Sequence, residues 1–479
     1  SNLNPNFFNY GSLPIYLLSS TAQIMHTIFP SSLSLYDSLL YIGRALSLTA
    51  DLVVILLINR LSWKLFKSRY IASIASLLYA LAFFPIQNSH FFIVDTFLNL
   101  FILLTLYTLL RYIEKRTTSR LMVVAIAFAA ALTTKVTAVI FLPFILCLIF
   151  YQNRKNIAHG ASQTMTFLLL LLPFSFIFMP FAFLNWHKFI TDVSLQLKLG
   201  SDPYVFPYTL QYVGTVPYLY YLKNIFFWGL GPVVSGLSLI GFLGLIRGSH
   251  SKSKAAVIFL AFYVFYFILI GFSAVKFMRY MLPIYPFMTI LAAYGLALIR
   301  KKAYGNIIVV VLLVIASTWT LLLNSVYLKE HTRITASNWI LTNIPQGSVL
   351  AVEHWDDRLP IYYSEQYKFE ELQLYNQPDN KIKWTIINDQ LSKSDYLVIA
   401  SNRLHAPLQK LDDCKKYKSC YPVTSKYYEE LFDGRGKFIK IKEFSVYPQF
   451  QISNFKFQIK DSDADESFTV YDHPTIMIF

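Results

Sequence analysis

His90 and Asp95 stand five residues apart in "SHFFIVDTFLNLF" (89–101), a run apolar enough to enter a bilayer. A carboxylate in such a run is costly unless it faces a partner or a wet cavity. Three cations occupy other polar breaks between apolar runs: Lys135 in "TTK" (133–135), and Lys276 with Arg279 in "SAVKFMRY" (273–280). Cations of this kind hold a phosphate, and a carboxylate can take the proton from an attacking hydroxyl. Taken singly, each has a plain structural use. A histidine caps a helix, a lysine snorkels, and a Lys/Arg pair anchors a helix end in headgroups. Only if all five meet at one membrane face do they make a site.

The elements that must place them are membrane helices. Of 479 residues 55% are hydrophobic and 14% charged, the balance of a polytopic membrane protein. Apolar runs fall at 38–59, 70–86, 91–111, 120–134, 136–151, 165–184, 225–246, 255–273, 281–299 and 306–324, about ten spans by length.

Alternate connections carry Arg60, Lys64, Lys67 and Arg69; Arg111, Lys115, Arg116 and Arg120; Arg154 and Lys155; Arg247, Lys252 and Lys254; and Arg300, Lys301 and Lys302. By the positive-inside bias these loops are cytoplasmic. The pattern requires 120–151 to be two helices broken near Thr133–Lys135, since one long helix would invert every later loop. The net charge of +15 therefore orients helices, and no nucleic-acid partner is expected.

His90, Lys135, Lys276 and Arg279 then fall on the outer side. Asp95 lies about 7 to 8 Å below His90, at headgroup level, where it is expected to reach water or lipid phosphate.

From about residue 325 the hydropathy collapses. Residues 325–479 read as a small extracytoplasmic α/β domain, and 1–324 as the membrane bundle with its outer loops. "ITASNWILTNIPQGSVLAVE" predicts a helix, a turn and a strand; 394–401, 436–447 and 468–479 predict further strands, and 425–432 a helix. Cys414 and Cys420 in "CKKYKSC" favour a local disulfide over a metal site if they lie outside the cell. The apolar stretch 13–29 suits a helix on the outer interface or a loop packed on the bundle.

Three function classes compete: a transporter, a lipid-linked transferase, and a structural or receptor protein. Transporter sites sit near the bilayer midplane, and Asp51, with Arg44 seven residues earlier on the same helical face, is the feature that keeps transport of a lipid or glycolipid open. The outer cations and Asp95 instead suit a transferase acting on a phosphate with a long apolar tail. "EHWDD" (353–357) offers Glu353, His354, Asp356 and Asp357 to a metal, but neighbours on a strand end point apart, which favours a solvated loop.

The ordered motifs "NPNFFNYGSLPIYL" (4–17), "SHFFIVD" (89–95), "TTK" (133–135), "KFMRYMLPIYP" (276–286), "ASNWILTNIPQGSVLAVEHWDDRLP" (336–360) and "ESFTVYDHP" (466–474) resemble bacterial phospholipid-carrier-dependent glycosyltransferases. These belong to the GT-C superfamily, with the protein O-mannosyltransferases and the aminoarabinose transferases. The resemblance implies a bundle that takes a sugar from a polyprenyl-phosphate donor, with inversion, and passes it to an acceptor in or at the outer face of the cytoplasmic membrane. It implies that Lys135, Lys276, Arg279 and Tyr280 serve the carrier phosphate, with His90 and Asp95 as supporting polar groups. No cofactor follows from it with certainty, although some relatives use a divalent metal. The family's catalytic acid lies in the first outer loop, and residues 4–17 contain no Asp or Glu. That base is expected upstream of Ser1, together with one more membrane helix.

Overall fold

A computed structural model describes residues 3–28, 35–153, 156–248, 253–452 and 455–479. Arg154, Lys155 and Lys252, read above as inner-loop cations, lie outside the described residues. The chain divides into two compact units, one of Ser1–Lys198 with Pro217–Thr320, the other of Leu199–Val216 with Leu321–Phe479.

The first unit is helical. Among the described residues of the chain, six helices are long and apolar enough to cross a membrane: Ser38–Phe66, Val94–Glu114, Ile157–Phe178, Lys254–Gly271, Met278–Arg300 and Gly305–Asn343. The pair Arg69–Ala80 and Phe83–Ser89, bent by 58°, makes a seventh if it is one span. Shorter apolar helices occupy Thr118–Thr134, Val136–Gln152 and Pro232–Arg247. This is a multi-pass helical membrane protein.

Two breaks have sequence causes. The run 70–86, read above as one span, bends after Leu81. Pro85 has no N–H to give, and its ring would meet the carbonyl four residues back, which is that of Leu81. That carbonyl accepts instead from the Thr320 hydroxyl. The second break is the one expected at "TTK". The helix Thr118–Thr134 ends at Lys135, whose backbone is extended (φ −153°, ψ 120°), and a 3-10 turn Val136–Phe141 leads into Leu142–Gln152. The Thr133 and Thr134 hydroxyls bond back to the Ala129 and Ala130 carbonyls at 2.7 and 2.8 Å, a pattern that loosens a helix end.

Elsewhere the bundle closes through small residues. A Cβ on Gly241 would stand 1.8 Å from the Leu291 carbonyl oxygen, and one on Gly295 would stand 2.5 Å from that of Leu237. Glycine on both helices lets their backbones touch, as small residues do where lipid leaves no hydrophobic drive.

The second unit is built on a five-stranded mixed sheet. Its strands are β1 Val349–Glu353, β2 Lys368–Leu372, β3 Tyr396–Ile399, β4 Lys442–Phe444 and β7 Ile476–Ile478; β5 Gln449–Ile452 and β6 Phe455–Gln458 form a separate hairpin. The order is β2-β1-β3-β7-β4, parallel between β1 and its two neighbours and antiparallel around β7. Alternation sorts the side chains. Leu350, Val352, Val398, Ile476 and Ile478 face Ala336 and Ile340 of the helix Thr332–Asn343. Ala351, Leu397, Ile399 and Met477 face Trp384, Leu408 and Tyr428 from three helices on the other side.

Two expected strands shrink. Residues 468–479 contribute only β7, because a short helix, Glu466–Thr469, and a turn come first, and 436–447 pairs only over Lys442–Phe444. Cys414 and Cys420 are joined in a disulfide.

Gly241→Ala tests the close helix contact. Its methyl meets backbone, which cannot rotate away, so a loss of about 1 to 3 kcal/mol is expected in thermal unfolding of the detergent-solubilised chain. An unchanged transition would show that these helices do not touch there.

Candidate functional site

Asp95 stands in the first turn of the helix Val94–Glu114, where the helix dipole favours a negative charge. Its side chain is buried, 2% exposed. The Lys135 ammonium donates to Asp95 Oδ1 at 2.7 Å, and Arg279 Nε lies 3.9 Å from Oδ2. The same ammonium sits 4.5 Å over the Tyr280 ring and 5.8 Å from that of Tyr10. Tyr280 is held through its carbonyl, which accepts from the Tyr266 hydroxyl.

Four of the six residues singled out in the sequence thus come together: Asp95, Lys135, Arg279 and Tyr280. Lys276, also buried, donates to the Ala274 carbonyl at 3.0 Å. His90 is exposed, and its Nδ1 lies 2.8 Å from the Ile86 carbonyl of its own short helix.

Lys135 and Arg279, which have no carboxylate near them in sequence, share Asp95, which is 40 residues from Lys135. The expectation that Asp95 reaches water or lipid phosphate needs correction, because its side chain is buried against these two cations.

The N-terminal motif supplies what the sequence reading missed. Gly11 N–H donates to the Thr134 carbonyl at 3.0 Å, and a Cβ at Gly11 would lie 1.8 Å from the Thr133 carbonyl oxygen. Only glycine lets this segment lie on the helix end that presents Lys135. Upstream, Phe8 N–H donates to Asp192 Oδ2 at 3.0 Å, and Asp192 also takes Lys188 at 3.0 Å. The acid-free stretch 4–17 therefore rests against a carboxylate from the helix Trp186–Ser201. The only sequence signal was the i, i+4 spacing of Lys188 and Asp192.

Beside the Lys135 break opens a cleft of about 170 Å³, lined by Leu132, Val136, Val139, Met179, Phe183 and Trp186. Its walls are almost wholly apolar.

The other polar candidates resolve differently. Asp51 does not pair with Arg44, which is exposed; its carboxylate accepts from the Tyr79 hydroxyl at 2.6 Å, and that oxygen accepts from Asn99 Nδ2 at 2.8 Å. In "EHWDD" only Glu353 lies in strand β1; His354–Asp357 turn away from the sheet with Trp355 and Asp357 exposed, and Glu353 accepts from Tyr428, Asp356 from Ser401, while Asp357 pairs with Arg333 at 2.8 Å. His354 bonds Glu371 at 3.1 Å. Among the described residues no group of three or more His, Cys, Asp or Glu is placed to hold a metal ion.

Residues 31–181 match the family described as dolichyl-phosphate-mannose-protein mannosyltransferase. The glycosyltransferase resemblance read from the motifs is thereby supported over the stretch that carries Asp95 and Lys135. Two solved structures are similar: ArnT from Cupriavidus metallidurans bound to undecaprenyl phosphate (12% identity, TM-score 0.46, over 70% of this chain and 63% of that one), and the same protein in the apo state (10%, 0.45, 84% of each). The first match spans less than two thirds of that protein, and superpositions this loose transfer no residue role. No curated protein matches the chain.

Removing one partner of a buried ion pair strands the other, at about 3 to 5 kcal/mol. Asp95→Asn is expected to destabilise the solubilised chain by that order, and Asp95→Asn with Lys135→Gln to recover most of it. Wild-type melting of Asp95→Asn would show that the pair does not hold the break.

Glu353 gives a pH prediction. Burial pushes its carboxyl from 4.5 up to about 8, against the opposing bond from Tyr428. The folded chain then holds a proton that the unfolded chain releases, so this contribution to stability is complete below about 4.5 and lost as pH rises through about 8. Hydrogen exchange of β1 should accelerate over that range in the wild type and much less in Glu353→Gln; equal acceleration in both would remove Glu353 as the cause.

Proposed function

We propose that the chain is a membrane glycosyltransferase that moves a sugar from a polyprenyl-phosphate donor to an acceptor at the outer face of the cytoplasmic membrane, with inversion. The observation that carries this reading is the Asp95–Lys135–Arg279 cluster at a helix break, with an apolar cleft beside it. A phosphate with a polyprenyl tail needs both. Its oxygens meet Arg279 and Lys135 while the tail leaves along the cleft into lipid.

In this reaction the acceptor hydroxyl attacks the anomeric carbon. The carbon–oxygen bond to phosphate breaks, and its electron pair leaves with the carrier phosphate. The cations stabilise that charge as it develops. Asp95 accepts from Lys135 and so orders the cations, which makes it a positioning residue; proton removal falls to another carboxylate. Lys276, on the Arg279 segment, adds positive charge, and His90 serves as a supporting polar group.

The accompanying topology has ten spans, with residues 325–479 as an extracytoplasmic domain. The Cys414–Cys420 disulfide suits an oxidising compartment. Transport of intact glycolipid is the second reading, kept by the buried mid-span Asp51.

Purified chain incubated with polyprenyl-phosphate sugars should release free carrier phosphate, whereas movement of intact glycolipid without cleavage would support transport. Arg279→Lys keeps the charge beside Asp95 and loses the planar fork. Carrier turnover should fall about tenfold or more, the effect of one charged hydrogen bond, with melting unchanged. Wild-type turnover would reduce Arg279 to a headgroup anchor.

A further inference from the structure

The other end of the same helices carries a second cationic site. Arg111 lies about 24 Å along the helix from Asp95, near the thickness of a bilayer core. There two adjoining cavities share Arg60 and Trp63. One, about 390 Å³, adds Arg69, Asn59 and Ser73; the other, about 350 Å³, adds Lys64, Lys67 and Arg111. Lys64 is paired with Glu114. Among the described residues, Arg60, Lys67, Arg69 and Arg111 have no carboxylate partner within 4.0 Å, so the two cavities hold a clear excess of positive charge.

The backbone is arranged to keep that charge in place. Lys67 has φ +52°, the left-handed region where a helix C-terminus usually carries glycine. This turn sets its ammonium 4.3 Å over the exposed Trp63 ring. A positive-inside loop needs only its charge, whereas here cations, an indole and two concave walls are combined.

We propose that these paired cavities bind the headgroup of a membrane phospholipid carrying two phosphates, one phosphate in each cavity with Arg60 between them. The ligand is a lipid rather than free phosphate because the cavities lie at the ends of membrane helices, where a headgroup is presented with its chains already in the bilayer. Basic pockets between membrane helices take such headgroups. The site is independent of the reaction proposed at Asp95.

The test counts lipids retained by the purified full chain in native mass spectrometry, offering diphosphatidylglycerol, phosphatidylglycerol and phosphatidylcholine at equal concentration. Diphosphatidylglycerol should be retained saturably and in preference to the others, and inorganic phosphate at the same concentration should not displace it. Arg60→Ala should weaken retention about tenfold, the effect of losing one charge-assisted contact. Lys67→Gly is the decisive variant: it suits the left-handed turn and removes the ammonium, so weaker retention with undiminished melting cannot be blamed on misfolding. Equal retention of both anionic lipids, displacement by inorganic phosphate, or wild-type retention in both variants would overturn the proposal.

Discussion

The ion pair between Asp95 and Lys135 is the constraint on which the first unit turns. It joins the start of one membrane helix to the end of another, with both partners nearly shut off from solvent. Buried charges repay their desolvation only with good geometry and further bonds. Here the carboxylate also has Arg279 at 3.9 Å, and the ammonium has the Tyr280 face at 4.5 Å. Each neighbour is itself placed by a break in regular helix. Lys135 caps a helix in extended conformation, and Arg279 and Tyr280 lie in the 3-10 turn Met278–Ile284 before the helix Tyr285–Arg300. Straight helices would carry these side chains past one another.

The breaks follow from ordinary rules applied at particular residues. Pro85 ends one helix by its missing donor, and Thr133 and Thr134 loosen another by bonding back to their own turn. The freed groups find partners, as they must in lipid. Thr320 takes the Leu81 carbonyl and Gly11 takes that of Thr134. The N-terminal segment is therefore part of the site's framework, although it brings no charge of its own.

Much of this was legible in the sequence. An Asp inside an apolar helix and a Lys at the end of another are anomalies that any reading of a membrane chain must explain, and both proved to be members of the cluster. What could not be read was who pairs with whom. Lys135 and Asp95 are 40 residues apart, and Phe8 and Asp192 are 184 apart; no local periodicity reports such contacts. The Arg44–Asp51 pairing failed for the same reason, since the true partner, Tyr79, comes from a different helix. In the second unit the central strands announced themselves by β-branched and aliphatic runs. The edge strand β2, "KFEEL", did not, because an edge exposes one side to water and tolerates charge.

The two ends of the bundle handle positive charge in opposite ways, and that contrast bears on function. At the Lys135 end a buried lysine and a half-buried arginine stand against one buried carboxylate, so an arriving anion would meet groups already oriented and partly stripped of water, where electrostatic interactions are strong. At the Arg60 end the cations stay exposed around open cavities, screened by salt and free to exchange partners. A site that must stabilise charge developing in a transition state gains from the first arrangement, because its dipoles need no reorganisation as the bond breaks. A site that only holds a membrane lipid gains from the second, since the headgroup arrives hydrated and must be able to leave. Both arrangements are thus built on the same helices, and what separates them is whether the carboxylate among the cations is buried, as Asp95 is, or exposed, as Glu114 is.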